Sequence, residues 1–252
     1  EFARLQVLEG DRLRPPKTQA TVRQLLTHTS GLGYYFWRPE LLEWRRVHGV
    51  DRHKIYAEPL VADPGTRFEY GISTDWLGRV VEAVSGRPLD EYLRDTVFAP
   101  LGMTETTFHP ERAVVPVHVR RDGAWEAMPA GAAPDPDWHA GGHGLYSTPR
   151  DYMRFAHALL GEPELFEPQV AFPSHLTSAQ PRVAADLTLG PGYSWGKAML
   201  VRDDQGGWMG LCNTFFWVDR TAGTAAALFT QTQPFADPAI LDLATRVGAF
   251  YA

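Results

Sequence analysis

The chain reads as an α/β fold in which an antiparallel sheet is flanked by helices and joined to a mainly helical lobe. Three observations carry that reading. Before residue 190, apolar residues recur at helical spacing in several stretches. After it, Tyr193–Val201, Leu211–Asp219 and Thr224–Thr232 are aromatic-rich apolar runs, broken by turn signals at Asp203–Gly207 and Arg220–Gly223. A last periodic stretch, Pro238–Tyr251, carries Ile240, Leu243, Val247 and Phe250 as its stripe. Successive strands joined by tight loops form an antiparallel meander, and one face of it is left for that helix.

Composition narrows the function classes. With 252 residues, 44% hydrophobic content and eight tryptophans, the chain can bury a sizeable core. The net charge is −6 with both signs interspersed, so no electrostatic footprint for nucleic acid is present. No apolar run approaches the roughly 18 residues of a membrane span, and no signal peptide is visible. The compartment is therefore open, with the cytoplasm slightly favoured. Lone Cys212 excludes an internal disulfide and reads as a small buried apolar residue.

Taken in order, the chain passes through Gly10-Asp11 and Pro15-Pro16 into a helix around Val22–His28, which Gly31 and Gly33 turn away. His28 reads as a structural residue tying down that turn. Tyr34, Tyr35, Phe36 and Trp37 follow, with a helix suggested by Leu41, Leu42 and Val47; these aromatics are either plain packing or an acyl- or alcohol-binding wall.

The stretch Pro64–Gly86 organises the rest. A turn at Pro64-Gly65 leads through an extended piece ending at Tyr70 into a helix. Ser73 or Thr74 is expected as N-cap and Gly86 as the closing residue, with Trp76, Leu77, Val80, Val81 and Val84 on one face. Tyr70 is thus held on a rigid loop before a helix N-terminus, either oriented for chemistry or simply half-buried.

Pro88–Phe98 predicts another helix, striped by Leu89, Tyr92, Leu93 and Val97. Val114–Val119 suggests a strand, Trp125-Glu126 a hairpin, and Ala130–Pro136 a flexible connection. Then Gly141-Gly142-His143-Gly144 precedes a helix capped by Ser147 or Thr148, with Pro149 in its first turn and Tyr152, Phe155, Ala156, Leu159 and Leu160 on its apolar face.

Three ordered motifs, Leu25-Leu26-Thr27-His28-Thr29-Ser30-Gly31-Leu32, the Pro64–Gly86 stretch and Ala99-Pro100-Leu101-Gly102-Met103, resemble the serine β-lactamase/penicillin-binding protein superfamily. The resemblance covers essentially the whole chain. It is nearest to the class C-like branch, with its family VIII carboxylesterases and related acyltransferases. It implies a β-lactamase/transpeptidase-like architecture. Residues 1–190 would form the helical lobe and active-site loops, and 191–252 the strands and terminal helix completing the α/β lobe, together one interleaved catalytic unit.

The resemblance also implies the chemistry. Tyr70 would be the tyrosine of the second motif, working with the lysine of Ser-x-x-Lys as a proton shuttle for the serine. A free phenol titrates near 10, so acting as a base near neutrality needs a shift of about 3 units, and adjacent positive charge is the plausible source. Gly207-Trp208-Met209-Gly210-Leu211 lies where the third motif belongs. Trp208 would line the pocket, and the Leu211 backbone N–H would be half of an oxyanion hole. His143 would be a pocket residue, although its residue type alone favours a structural role. Tyr34 belongs to the candidate binding wall. Ile72 replaces the amide of the lactamase pattern, which resembles the carboxylesterase variant.

Beside Ile72, the chain departs from the family in its nucleophile motif, and two serine patterns have to be weighed. The chain holds three lysines, Lys17, Lys54 and Lys197, and only Lys197 stands in a Ser-x-x-Lys spacing, as Ser194-Trp195-Gly196-Lys197. That tetrad follows Tyr70 and lies in a strand pattern, where residues three apart point to opposite faces. The overlapping Gly-x-Ser-x-Gly, Gly192–Gly196, needs a strand–turn–helix and a downstream histidine, and none follows His175. Both are decoys.

The expectation is therefore a serine esterase acting through an acyl-serine on a small-molecule ester, its Ser-x-x-Lys supplied by a missing N-terminal segment, upstream or on a second chain. The alternatives are an acyltransferase of the same fold and a non-catalytic ligand-binding homologue. No cofactor is implied, and no metal: His139 and His143 lie four apart with glycines between them and no third ligand evident.

Overall fold

Short connections between strand-forming runs leave antiparallel pairing as the way for neighbours to meet, and the main sheet obeys this. The computed structural model describes residues 2–49, 54–121, 123–129 and 139–248. In it six strands lie in the spatial order Thr224–Phe229, Thr214–Asp219, Gln205–Gly210, Leu200–Arg202, Ser194–Trp195 and Val170–Ala171, each antiparallel to its neighbours. The last of these comes from before residue 190.

Strand boundaries differ from expectation for identifiable reasons. Tyr193–Val201 is two strands, because the chain reverses at Gly196, whose N–H donates to the Met199 carbonyl at 2.8 Å. Gln205–Gly207, expected in a turn, open the next strand; the reversal needs only Asp203 and Asp204, with Asp203 at φ 54°. Gly206 provides space there, since a Cβ would approach Met199 Cε to 2.8 Å. Leu211 falls in the following turn, ahead of the strand Thr214–Asp219.

Alternation along Thr214–Asp219 divides the core between two faces. Phe215 and Trp217 pack with Leu200, Met209 and, from the terminal helix Pro238–Arg246, Ile240 and Ala244. Phe216 and Val218 pack with Val201, Met199, Phe166 and, from the helix Pro149–Ala158, Ala156. Thr148 caps that helix, accepting from the Asp151 N–H. A third cluster, Leu5, Val7, Leu25, Leu32, Leu60, Ile72 and Trp76, forms the floor of the helical part.

The helix Val22–Leu26 starts with a capping box between Thr21 and Gln24. The central helix runs Ser73–Ser85 and closes on left-handed Gly86. Its start corrects the expected cap: Ile72 occupies the cap position without a side-chain bond, because the Ser73 hydroxyl is engaged with Ser30 at 2.9 Å. Trp76 is buried, whereas Val84 is 84% exposed, where the last turn outruns the core. Val47 in the helix Pro39–His48 is likewise exposed. Pro88–Phe98 is helical from Leu89 but passes into a π segment over Arg94–Phe98. The strand near residue 117 is His118–Arg121, hairpinned to Ala124–Ala127 and parallel to Thr232–Gln233; Val114 and Val115 precede it and are exposed. Ala130–Pro136 and Phe250 lie outside the described residues.

Candidate active site

Tyr70 owes its position to His28. The residues on either side of the tyrosine are both pinned to that histidine: the Glu69 N–H donates to the His28 carbonyl at 2.7 Å, and the Gly71 N–H donates to His28 Nδ1 at 3.3 Å. His28 is 2% exposed and sits at φ 51°, so the turn after Leu26 aims its ring inward. Burial pushes the imidazole down to about 3, which keeps Nδ1 a neutral acceptor. Gly71 is required by the same fit, because a Cβ there would lie 2.4 Å from the Leu32 carbonyl oxygen. Gly31, at φ 87°, meets the Ala62 carbonyl in the same way.

Around this loop an aromatic nest closes. Trp208 Nε1 donates to Tyr70 Oη at 2.6 Å, with ring centroids 4.8 Å apart. Trp195 stands edge-on to both Trp208 and His28, at 4.7 and 4.9 Å, and its Nε1 donates to the Leu26 carbonyl. Tyr34 lies 5.4 Å from Tyr70 and stacks on Phe36. Burial raises the Tyr70 phenol well above its ordinary value; the Trp208 N–H opposes this and the charge of Asp75 adds to it. Within the described residues, then, Tyr70 is a neutral phenol at pH 7. Among the described residues, no cation stands against it to make it a base.

Asp75, fully buried in the first turn of the central helix, is favoured there by the helix dipole. Its Oδ1 accepts from the Gly142 N–H at 3.2 Å and faces His143 Nδ1 at 3.2 Å. His143 is therefore drawn to the N-terminal end of the same helix that Tyr70 precedes. Ile72, by contrast, is 3% exposed and belongs to the floor cluster with Trp76 and Leu32. Leu211 begins the tight turn three residues after Trp208, so its N–H stands at the end of the strand bearing the indole. Buried Asn213 fixes that turn: its Nδ2 donates to the Thr232 and Pro234 carbonyls and its Oδ1 accepts from Ala236.

A cavity of about 240 Å³ opens beside Tyr70, walled by Trp37, Arg38, Phe68, His175 and Leu176. Arg38 is held by buried Glu69, through Nε at 2.7 Å, and Arg67 also pairs with that carboxylate. The decoy tetrad is disposed of by geometry. Ser194 lies in a strand paired with Val201 and Ala171, and Lys197 goes to Glu167 at 3.4 Å.

Sequence reasoning named Tyr70, Trp208 and Tyr34, which the structure brings into one cluster. It dismissed Trp195 along with its decoy motif and passed over Asp75, Asn213 and Glu69 as functional groups. A carboxylate directly before a candidate tyrosine was the available signal for Glu69; its burial is visible only in the fold.

Comparison with known proteins agrees with this architecture. The beta-lactamase family model matches residues 7–249. Monacolin J acid methylbutanoyltransferase from Aspergillus terreus is 29% identical, the match covering 100% of this chain and 73% of that protein. Lovastatin esterase from Penicillium rubens is 31% identical over 78% of this chain and 58% of its own length. A solved variant of simvastatin synthase from Aspergillus terreus superposes with a TM-score of 0.79 at 29% identity, covering 99% of this chain and 72% of that one.

Proposed function

This chain belongs to the beta-lactamase family, and on that premise we propose that it forms most of a serine acyltransferase working through an acyl-serine intermediate. The sequence led with ester hydrolysis; the relatives back its alternative better, since a methylbutanoyltransferase and a synthase stand among them beside an esterase. The substrate is a small-molecule ester or related acyl donor, and the second substrate an alcohol or water. No helix among the described residues is long and apolar enough to cross a membrane.

One observation carries the reading: the tyrosine of the second motif and the tryptophan of the third meet in a hydrogen bond of 2.6 Å. A phenol held this way can pass a proton between serine, lysine and leaving group. The serine Oγ adds to the acyl carbonyl while its proton moves to the lysine–tyrosine pair, and the Leu211 N–H donates to the resulting oxyanion. Collapse expels the first alcohol, which takes the proton back. The acceptor hydroxyl then repeats the sequence in reverse on the acyl-serine.

On this reading the serine and lysine come from polypeptide outside these 252 residues, where only Ser194–Lys197 has the Ser-x-x-Lys spacing. This is supported by the places of Lys197, paired with Glu167, and Lys17, 78% exposed beside Asp63. A cation brought against Tyr70 would also draw the phenol down from its raised value. The aromatic wall of Tyr34, Phe36 and Trp37 and the adjoining cavity would take the acyl chain.

The test is fluorophosphonate labelling of the full natural polypeptide, read by intact mass, with acyl transfer to an alcohol followed beside hydrolysis. One tag on a serine outside this chain is expected. Tyr70→Phe, which keeps the ring and removes the hydroxyl, should lower kcat/KM by about 10²–10⁴-fold. A tag on Ser194, or full activity in Tyr70→Phe, would overturn the reading.

A further inference from the structure

Away from the tyrosine, three segments bring metal-binding side chains to one place. Asp90 lies in the short helix Leu89–Leu93, His109 follows the Thr107–Phe108 segment, and His139 opens the stretch that leads to Gly142 and His143. One donor atom from each of the three lies within 4.8 Å of the others. The two imidazoles meet Nε2 to Nε2 at 3.0 Å, and His139 Nδ1 is 3.6 Å from Asp90 Oδ1.

We propose that Asp90, His109 and His139 form a binding site for a divalent first-row cation, zinc in the first instance. Two imidazole nitrogens bonded to one zinc at about 2.0–2.1 Å, at angles of about 90–109°, stand about 2.9–3.4 Å apart. The observed 3.0 Å falls in that interval. A plain hydrogen bond between two neutral rings would fit the same distance, but it leaves Asp90 Oδ1 with only His139 Nδ1 near it, at 3.6 Å, beyond hydrogen-bonding distance. Asp90 Oδ1 is a buried atom with no hydrogen-bond partner among the described residues. A buried carboxylate oxygen without a donor is costly, and a cation between it and the imidazoles removes that cost. The donor set, two imidazoles and one carboxylate, suits zinc and its neighbours rather than calcium or magnesium.

Access and purpose also follow from placement. His139 lies on the wall of an open cleft of about 570 Å³ with Arg79, Glu82 and Arg87, which provides an entry path and leaves room for water or a small anion as fourth ligand. The ligands come from separate segments, so the ion would staple them together. Gly141, two residues beyond His139, packs directly on Gly78 of the central helix, where a Cβ would lie 3.0 Å from the Gly78 nitrogen. The staple therefore fixes the segment that delivers His143 to Asp75. This departs from the metal-free expectation, which weighed His139 with His143: the partners of His139 come from residues 90 and 109 instead.

The experiment is calorimetric titration of the full natural polypeptide, chelator-stripped, with zinc chloride, repeated with cobalt chloride by visible absorption. One equivalent should bind, with cobalt giving ligand-field bands. His109→Ala and His139→Ala should each weaken binding by at least about tenfold, while His157→Ala, on the helix Pro149–Ala158, leaves it unchanged. Acidification should weaken binding, because protons compete for the imidazoles. Absence of saturable binding, or wild-type affinity in both ligand variants, would mean an imidazole–imidazole hydrogen bond only and overturn the site. Should the variants fail to fold, X-ray absorption of the zinc-loaded wild type decides: two imidazoles in the first shell support the proposal, and any other number overturns it.

Discussion

His28 bears two loads at once, and they fix its protonation state. Its Nδ1 must accept from Gly71, so the ring must stay neutral. Its folded value, near 3, lies below the ordinary histidine value of about 6.5. The stability this neutral ring contributes is fully present above about 6.5 and is lost as pH falls from there toward 3, at about 1.4 kcal/mol per pH unit. Stability against denaturant, compared between wild type and His28→Gln, should show that slope in the wild type and a shallower one in the variant. Parallel slopes would mean that the folded protein protonates His28 freely. At this scale the sequence was informative but incomplete. It marked His28 as the tie for its turn, Tyr70 as a proton shuttle and Trp208 as a pocket-lining residue. It could not show that the tie reaches Tyr70 from both sides, because 41 positions separate His28 from Glu69 and that proximity is created only by the fold.

Elements were legible wherever a local rule set them. Thr148 before Pro149 and a clean apolar stripe define a helix from sequence, and it forms. Replacing that cap, Thr148→Ala, should cost about 1 kcal/mol, seen as a lower denaturation midpoint at unchanged slope. A change in slope would mean that the helix end is held by more than its cap. Where glycine stood for space rather than for a turn, the same rules misled. Gly206 and Gly207 read as loop and are strand, since the reason for Gly206 is the Met199 side chain opposite. Ser73 read as a cap and is instead one half of a buried hydroxyl pair with Ser30. Both errors have one origin: a residue's tertiary partner outranked its local propensity.

Across the whole molecule, the amino-terminal hairpin Val7–Glu9 and Arg12–Arg14 is fastened to the turn that begins the tyrosine stretch. Arg14 grips Asp63 with two hydrogen bonds of 2.9 and 2.8 Å, and the Lys17 N–H adds a third. The guanidinium and that N–H hold the Asp63 carboxyl far below the usual carboxylate range. A depressed acid stabilises the fold above its unfolded value and stops doing so as pH falls through its folded one. The tie therefore holds throughout the neutral range and fails only below about pH 4. Asp63→Asn should flatten the acid limb of a thermal-melting profile while lowering Tm at pH 7; an unchanged acid limb would place the proton uptake elsewhere. The architecture itself was readable from the meander, the helical stripes and the motif order. The Asp90–His109–His139 cluster was not, because sequence proximity pointed to His139 and His143. The two indoles of the aromatic nest carry one last implication. Trp195 and Trp208, edge to face at 4.7 Å, lie close enough for their electronic transitions to mix, so the closed nest has its own circular-dichroism signature. If the proposed acyl transfer takes place beside Tyr70, an acyl group bound there is expected to change the near-UV circular dichroism, without any added label.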